Sequence, residues 1–275
     1  MAAARHELPI GVFDSGIGGL TVLKALLERL PGESYLYLGD TARLPYGTKT
    51  AAAVERYALQ AVAELIRRGV KAVVVACNTA SAAALPALLA AHPGLPIVGV
   101  IEPGAAAAVA ATHSGHIAVL ATEGTVRGGA YQREIVKRRA DARVEAVAAT
   151  LFVALAEEGW VRGEIVASIA RRYLAPLFAA ATDAPDTVVL GCTHFPPLAA
   201  AISAIVGPHV QIVDSAFTSA GALAQLLESR GLRSAAGNAG TVRFLVTDGE
   251  QRFARVGPTF LGRPIDDAEV ERVNL

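Results

Sequence analysis

The sequence has few cysteines and no excess of charge. Only two cysteines occur in 275 residues, which argues against a disulfide framework and favours a reducing compartment. Lys plus Arg and Asp plus Glu number 25 each, so the formal net charge is zero. This balance argues against a broad surface for nucleic acid or an anionic membrane. The N-terminus also lacks the long apolar stretch of a secretory signal. We therefore expect a cytoplasmic location and no nucleic-acid partner.

The longest uncharged run, residues 72–91, approaches the length of a bilayer span. It contains Asn78, Thr79 and Pro86, and much of it is alanine, which drives membrane insertion only weakly. We interpret this run as a strand, a turn and the start of a helix, and we expect no membrane partner.

Short runs rich in valine and isoleucine alternate with longer stretches rich in alanine and leucine. Hydrophobic residues make up 53% of the chain, enough for a sizeable core. The alternation predicts βαβ units and an α/β fold with mainly parallel sheets flanked by helices. The predicted strands are 10–13, 34–38, 72–76, 97–100, 117–121, 187–190 and 210–213. The predicted helices are 19–29, 50–68, 79–90, 128–137, 163–181 and 217–228.

Turn-forming residues at 93–96, 102–104 and 207–208 indicate breaks in the chain. Breaks at these places predict one discontinuous α/β domain, 1–98 plus 208–275, and a second α/β domain, 99–207.

Both cysteines lie in the same local pattern. Three aliphatic residues lead to a small residue, then to Cys77 or Cys192, and then to a polar pair. We therefore expect both cysteines where a parallel strand ends and a helix begins, the edge at which open α/β sheets bind ligands.

Two thiols at equivalent strand ends suggest proton transfer on both faces of one carbon. Inverting a stereocentre by deprotonation needs a base on one face and an acid on the other. One cysteine would act as thiolate and the other as thiol, and the pair would titrate as a coupled system. The alternative is that each cysteine is buried packing, because free cysteine is among the most buried residue types.

Other motifs carry weaker signals. Asp14 and Ser15 precede Gly16, Gly18 and Gly19 after the first strand, where exposed amides could bind a carboxylate or where Asp14 could only cap a helix. The spacing matches neither the dinucleotide fingerprint nor a phosphate loop. The Leu-Pro-Tyr-Gly turn at 44–47 could line a ligand or be only a turn.

His194 and Glu157 could assist a thiol. His194 lies two residues beyond Cys192 and could tune it. Two widely separated cysteines do not suit a four-ligand zinc site, so we expect no metal. Glu157 is by default an ordinary exposed acid.

Together these motifs resemble the bacterial glutamate racemases of the aspartate/glutamate racemase superfamily. The resemblance covers about residues 9–230 and leaves 231–275 unmatched. Its segments are Phe-Asp-Ser-Gly-Ile-Gly-Gly-Leu-Thr-Val at 13–22, Leu-Gly-Asp-Thr-Ala-Arg-Leu-Pro-Tyr-Gly at 38–47, Ala-Cys-Asn-Thr-Ala-Ser at 76–81 and Leu-Gly-Cys-Thr-His-Phe-Pro at 190–196, with weaker matches at 121–126 and 213–216. Gly128 stands where this group commonly has Ser, and Thr150 where it usually has Pro; neither is expected to touch the chemistry.

The resemblance implies two similar α/β domains with the active site in the cleft between them. It implies direct interconversion of L- and D-glutamate without a cofactor, and a role for D-glutamate in peptidoglycan synthesis. By position, the acid–base residues would be Cys77 and Cys192, assisted by Asp14, Glu157 and His194. The substrate site would comprise Asp14, Ser15, Tyr46, Gly47, Asn78, Thr79, Thr193 and His194, with possible contacts from Thr122 and Thr125.

Three alternatives stay open at this point. The chain could be an aspartate racemase or a related enzyme of the same superfamily, a single-thiol decarboxylase or isomerase, or a protein with a non-catalytic binding role. A homodimer is a further expectation.

Overall fold

The computed structural model describes residues 5–179, 183–234 and 240–275. Within these ranges there are ten strands and twelve α-helices. The strands are β1 (Ile10–Asp14), β2 (Tyr35–Gly39), β3 (Ala72–Val75), β4 (Ile97–Gly99), β5 (His116–Ala121), β6 (Arg143–Ala148), β7 (Thr187–Gly191), β8 (Gln211–Asp214), β9 (Val242–Val246) and β10 (Val270–Arg272). The helices are α1 (Leu20–Arg29), α2 (Ala51–Arg67), α3 (Asn78–Ala91), α4 (Ile101–Ala111), α5 (Glu123–Gly128), α6 (Ala130–Arg138), α7 (Leu151–Glu157), α8 (Glu164–Phe178), α9 (Ala199–Val206), α10 (Ser215–Ser229), α11 (Glu250–Val256) and α12 (Pro258–Leu261).

The strands form two parallel sheets. The first has six strands in the order β10-β9-β2-β1-β3-β4, and the second has four in the order β6-β5-β7-β8. Every residue of β1, β3, β5 and β7 is buried, because helices cover both faces of these central strands. The predicted fold class, α/β with mainly parallel sheets flanked by helices, is confirmed.

The two sheets present their carboxyl ends to a common site. In the first sheet Asp14 ends β1, and Cys77 lies two residues beyond the end of β3. In the second sheet Cys192 directly follows Gly191, the last residue of β7. Because the strands of a parallel sheet run in the same direction, their carboxyl ends all lie at one edge of the sheet. Ligands bind at that edge in open α/β sheets.

Several elements differ from the sequence-based prediction. The segment Glu102-Pro103-Gly104 is not a linker but part of the first turn of α4, where proline is tolerated because its missing N–H has no helical partner there. The predicted helix at 128–137 is observed as α6, which begins at Ala130 because Gly129, with a φ of 63°, separates it from the short helix α5. The predicted helix at 163–181 is observed as α8, and its predicted end at residue 181 lies outside the described residues.

The division into domains remains a prediction. The strand order of the two sheets can be compared with its predicted boundaries. The chain changes sheets between β4 and β5 and again between β8 and β9. Strand β8 lies beyond the predicted boundary at 207–208 yet pairs with β7 in the second sheet. The Gly207–Pro208 break is thus a turn that leads into β8. Among the described residues, no helix has the length and apolar character needed to cross a bilayer.

Candidate active site

Cys77 caps the helix that follows β3. Its sulfur accepts a hydrogen bond from the backbone N–H of Ala80 at 3.4 Å, and the residue is 5% exposed. Burial raises the pKa of the Cys77 thiol to about 12, and the nearby charge of Asp14 acts in the same direction. Hydrogen bonds from Ser15 and Ala80 oppose this rise without cancelling it. Cys77 is therefore a protonated thiol at neutral pH in this structure.

Cys192 lies beside a charged histidine. Its sulfur is 3.9 Å from Nδ1 of His194. Burial lowers the pKa of His194, but the contacts with Cys192 and Glu157 outweigh burial and raise the pKa to about 10. The imidazole is therefore protonated at neutral pH and is the proton donor next to the Cys192 sulfur.

Glu157 connects His194 to a residue far along the chain. Its Oε1 lies 3.0 Å from Nε2 of His194, and its Oε2 accepts a hydrogen bond of 2.8 Å from Nη2 of Arg252. Burial raises the pKa of Glu157, but the contacts with His194 and Arg252 prevail and lower it below its ordinary value. Cys192, His194, Glu157 and Arg252 thus form one continuous chain of contacts.

Asp14 lies behind the site at the end of β1. The residue is fully buried, and its Oδ2 accepts a hydrogen bond of 2.9 Å from the Gly16 amide. Its Oδ1 has no hydrogen-bond partner among the described residues. Burial raises the pKa of Asp14, opposed by the charge of His194 and by backbone amides. Because the charge of Asp14 raises the pKa of Cys77 in turn, the two groups titrate as a coupled pair.

A cavity of about 280 Å³ is lined by Cys77, Cys192, His194 and Glu157. Both cysteines line it, although they follow strands of different sheets. Among the described residues that line it, none is Lys or Arg. Apart from the His194 ring, a bound anion would therefore be held by hydroxyls, by amides and by the N-terminus of α3, which begins immediately after Cys77.

Two polar clusters shape the cavity wall. The hydroxyl of Thr79 lies 2.9 Å from that of Thr122 and 3.2 Å from that of Thr125, so three hydroxyls connect α3 to α5. Deeper in the wall, the hydroxyl of Tyr131 donates a hydrogen bond of 2.7 Å to Oδ1 of Asn78. The Asn78 Nδ2 group is buried and has no partner in the described part of the chain.

A family model described as Asp/Glu/hydantoin racemase matches residues 10–223, which is more than half of the chain. The chain belongs to this family. The superfamily resemblance read from the motifs is thereby confirmed.

Relatives within the family are similar over nearly the whole chain. Glutamate racemase of Geobacter metallireducens is 46% identical over 258 residues, covering 94% of each chain. The crystal structure of glutamate racemase from Francisella tularensis in complex with D-glutamate has a TM-score of 0.90 at 35% identity, covering 98% of each chain. The structure of glutamate racemase from Thermus thermophilus in complex with β-chloro-D-alanine has a TM-score of 0.86 at 43% identity, again covering 98% of each chain.

The structure brings most of the predicted site residues of this family member into the cavity. The predicted residues that line it are Ser15, Tyr46, Gly47, Cys77, Asn78, Thr79, Thr122, Glu157, Cys192, Thr193 and His194. Asp14 and Thr125 do not line it. Asp14 acts from behind through its charge, and Thr125 contacts the wall residues Thr79 and Thr122.

Leu44 and Pro45 of the predicted Leu-Pro-Tyr-Gly turn also line the cavity. The other wall residues were not predicted: Thr48 follows that turn, Glu123 begins α5, and Val153 and Ala154 come from α7. Thr150, where proline is usual in the family, also lines the cavity, so it lies nearer the chemistry than expected. Glu157 is largely buried, with 14% of its side chain exposed, and is not the ordinary surface acid of the default interpretation. Arg252 was missed because nothing in its local sequence marks it.

The loop that carries Tyr46 is fixed by a buried carboxylate. Asp40 at the end of β2 is fully buried and accepts hydrogen bonds from the Tyr46 hydroxyl and, at 2.9 Å, from the Thr247 hydroxyl. Arg43 adds an ion pair to Asp40 at 2.7 Å. Tyr46 and Gly47 are therefore placed in the wall by contacts on the side away from the cavity.

Proposed function

We propose that this chain is a glutamate racemase that interconverts L- and D-glutamate by proton transfer between two cysteines, with no cofactor. One observation carries the proposal. Cys77 and Cys192 follow strands of two different sheets yet line one cavity, and each has a titratable group that acts on its sulfur, Asp14 for Cys77 and His194 for Cys192. The names of the similar family members support glutamate as the substrate.

The reaction moves one proton on and one proton off the same carbon. A thiolate on one face removes the α-proton, and the electron pair left on the α-carbon spreads into the α-carboxylate. The thiol on the opposite face then donates its proton to that carbon. The product has the inverted configuration, and the two sulfurs have exchanged protonation states. The forward reaction therefore leaves the two sulfurs in the protonation states from which the reverse reaction starts.

On the Cys77 side, the protonation state of Asp14 is coupled to that of the sulfur. Its charge raises the pKa of Cys77 and keeps this thiol protonated, ready to donate. When Cys77 instead acts as the base, protonation of Asp14 removes that charge and favours the thiolate, because the pair is coupled.

On the Cys192 side, His194 carries the proton. Its Nδ1 faces the sulfur and its Nε2 faces Glu157, so the ring is oriented at both nitrogens. A protonated ring held in this way can supply a proton to Cys192 after that thiol has donated its own proton to the α-carbon. Glu157 stabilises the charged ring by its own charge.

Neutral donors would hold the substrate carboxylates. The hydroxyls of Ser15, Thr79, Thr122 and Thr193 and the amide of Asn78 line the cavity. Preorganised donors at the α-carboxylate stabilise the additional charge of the transition state more than the ground state, which lowers the barrier.

Aspartate is the nearest alternative substrate. Aspartate is one methylene shorter than glutamate and would use the same two thiols. The relatives at 46% and 43% identity are named for glutamate, and this likeness favours glutamate over aspartate.

The wider role follows from the family resemblance. D-Glutamate formed by the chain would supply peptidoglycan synthesis, and we propose a cytoplasmic location on the same ground. A homodimer is part of the same proposal, and sedimentation of the purified chain tests it.

The decisive experiment is circular dichroism of the purified chain with L-glutamate and separately with D-glutamate. We expect the signal of each to decay to zero, because the two enantiomers have equal free energy. L-Aspartate serves as the substrate control. An unchanged signal with both glutamate enantiomers would contradict the proposal.

The two-thiol step has its own test in deuterated water. In Cys77→Ser, only the enantiomer that Cys192 deprotonates should exchange its α-hydrogen, and in Cys192→Ser only the other enantiomer should. Full racemase activity in both single variants would eliminate the two-cysteine mechanism.

A further inference from the structure

Helix α11 (Glu250–Val256) brings a cation to the site from the C-terminal part of the chain. The helix begins after Gly249, whose φ of 69° turns the chain. From its first turn, Arg252 extends to Glu157, and the two residues are 95 positions apart in sequence. Strand β9, which precedes this helix, belongs to the first sheet, whereas Cys192 and His194 follow a strand of the second sheet.

The two oxygens of Glu157 have different partners. Oε1 lies 3.0 Å from the His194 ring and Oε2 lies 2.8 Å from Arg252. The Glu157 side chain is 14% exposed and that of His194 is 9% exposed, whereas that of Arg252 is 47% exposed. A largely buried carboxylate is thus held from the solvent side by a charge-assisted hydrogen bond, and its remaining oxygen is turned toward the histidine.

We infer that Arg252 is a positioning residue for the Cys192 half of the proton transfer. It fixes the Glu157 carboxylate, which in turn holds the His194 ring beside the Cys192 sulfur. This inference rests on the proposed function, and it assigns a role to a part of the chain that the sequence motifs leave unassigned.

Arg252 acts at a distance from the substrate. It does not line the cavity, whereas Glu157, His194 and Cys192 all do. Its contact among the described side chains of the site is Glu157. Any effect of Arg252 on the reaction must therefore pass through that carboxylate. It reaches the Cys192 sulfur through the direct contact of His194, whereas it reaches Cys77 only indirectly, through the charge of His194 on Asp14.

The charges around Glu157 give the inference a direction in pH. The charged groups that face Glu157 are His194 from the segment after β7 and Arg252 from α11, and the adjacent Glu158 is exposed. Burial raises the pKa of Glu157, and without Arg252 only His194 opposes this rise. The pKa of Glu157 is therefore higher in the absence of Arg252. Protonated Glu157 no longer stabilises the charged ring. As the pH is lowered, activity should therefore be lost at a higher pH without Arg252 than in the wild type.

Arg255 provides a matched control. It lies on the same helix and is exposed. Arg255→Gln removes the same charge from the same element without touching Glu157. The comparison of Arg252→Gln with Arg255→Gln therefore separates the contact from the overall change in charge.

The experiment measures kcat/KM for glutamate against pH in the wild type, Arg252→Gln, Arg252→Lys and Arg255→Gln. We expect Arg252→Gln to lower kcat/KM about tenfold near neutral pH, the effect of losing one charge-assisted hydrogen bond. Its acid limb should move to higher pH. Arg252→Lys, which keeps the charge, should return the acid limb toward the wild-type position, and Arg255→Gln should match the wild type.

Exchange of the α-hydrogen in deuterated water identifies the half of the site that is affected. The enantiomer that no longer exchanges its α-hydrogen in Cys192→Ser is the one that Cys192 deprotonates. Arg252→Gln should slow the exchange of that enantiomer more than the exchange of the other. Equal slowing of both enantiomers, or a pH profile identical to that of Arg255→Gln, would overturn the inference.

The outcomes keep the two proposals apart. A wild-type chain that does not interconvert glutamate refutes the proposed function, whereas an active wild type with an unaffected Arg252→Gln refutes only the role of Arg252. If Arg252→Gln does not fold, Arg252→Lys against Arg255→Lys carries the test, because a lysine point charge cannot reproduce the guanidinium geometry and should still lower kcat/KM.

Discussion

Gly18 lies directly against the ring of His194. A Cβ atom built at Gly18 would be 2.4 Å from Nδ1 of His194 and 2.5 Å from Oγ1 of Thr193. The ring cannot move away easily, because Phe260 packs edge-on against it with centroids 5.2 Å apart and Glu157 holds its Nε2. The absence of a side chain at position 18 therefore permits the observed position of His194.

Gly18→Ala should displace the His194 ring from the Cys192 sulfur. We expect kcat/KM to fall about a hundredfold or more, since misplacing a catalytic group by about 1 Å has that effect. Gly221→Ala is the control, because nothing lies within 4 Å of a Cβ there and the position is inside helix α10. Steady-state kinetics of both variants check this prediction, and near-normal activity of Gly18→Ala would contradict it.

The charge of His194 should make folding stability depend on pH. The pKa of this ring is raised from 6.5 to about 10 in the folded chain. Its contribution to stability is complete below about pH 6.5 and is lost as the pH rises to about 10, because the folded state holds the proton more tightly. Urea unfolding between pH 7 and 9 should show the wild type losing more stability than His194→Asn. The difference in slope should not exceed about 1.4 kcal/mol per pH unit, the limit for one proton. Parallel curves would show that the ring is not charged.

Tyr131→Phe should weaken substrate binding more than it slows turnover. The Tyr131 hydroxyl donates to Oδ1 of Asn78 and so orients the amide, leaving Nδ2 without a partner among the described residues and available for a ligand. Its removal leaves a buried acceptor unsatisfied, which costs about 1–3 kcal/mol of unfolding free energy. We expect a higher KM with little change in kcat.

A second buried tyrosine controls for the loss of stability in that experiment. Tyr35 is as buried as Tyr131, and its hydroxyl donates to the carbonyl oxygens of Leu26 and Leu30, away from the cavity. Tyr35→Phe should be destabilised as well and keep a normal KM. If both variants raise KM equally, Tyr131 does not act through Asn78.

Thr79 provides a test of the hydroxyl cluster between α3 and α5. Thr79→Val keeps the shape of the side chain but removes the hydroxyl that lies near Thr122 and Thr125. We expect a loss of about 1 kcal/mol in unfolding free energy and a raised KM. Thr79→Ser retains the hydroxyl and should recover most of the binding. The pair is measured by urea unfolding and steady-state kinetics, and equal behaviour of the two variants would exclude a role for the hydroxyl.

The sequence predicts the central strands and their ends well. Strands β3 and β7 are unbroken aliphatic runs because both of their faces are covered, and this pattern also places Cys77 and Cys192 at equivalent strand ends. The strand positions depend on local hydrophobicity, which is visible in any short window of the chain.

Strands β6 and β9 could not be predicted in the same way. Strand β6 reads Arg-Val-Glu-Ala-Val-Ala and is only partly buried, so it has neither a continuous apolar run nor a clear alternation. Strand β9 pairs with β2, which precedes it by about two hundred residues, and its role depends on that distant partner.

The contacts that orient the site residues were also beyond the sequence. Tyr131 meets Asn78 across 53 residues and Arg252 meets Glu157 across 95 residues. Each pair exists only because the fold brings two separate elements together. Motifs identify groups that carry chemistry at one position, whereas the partners that hold such groups have no local signature.

Like sulfurs in unlike surroundings have a kinetic consequence. One thiol is governed by a carboxylate buried behind it, and the other by an imidazolium backed by a carboxylate and a guanidinium. The L and D forms of an amino acid are mirror images, but this site is not its own mirror image. Thermodynamics requires the ratio kcat/KM to be identical for the two antipodes, whatever the site looks like. Each separate constant is free to differ, so a racemase with this asymmetry should saturate at different concentrations of the L and D forms and turn them over at different maximal speeds.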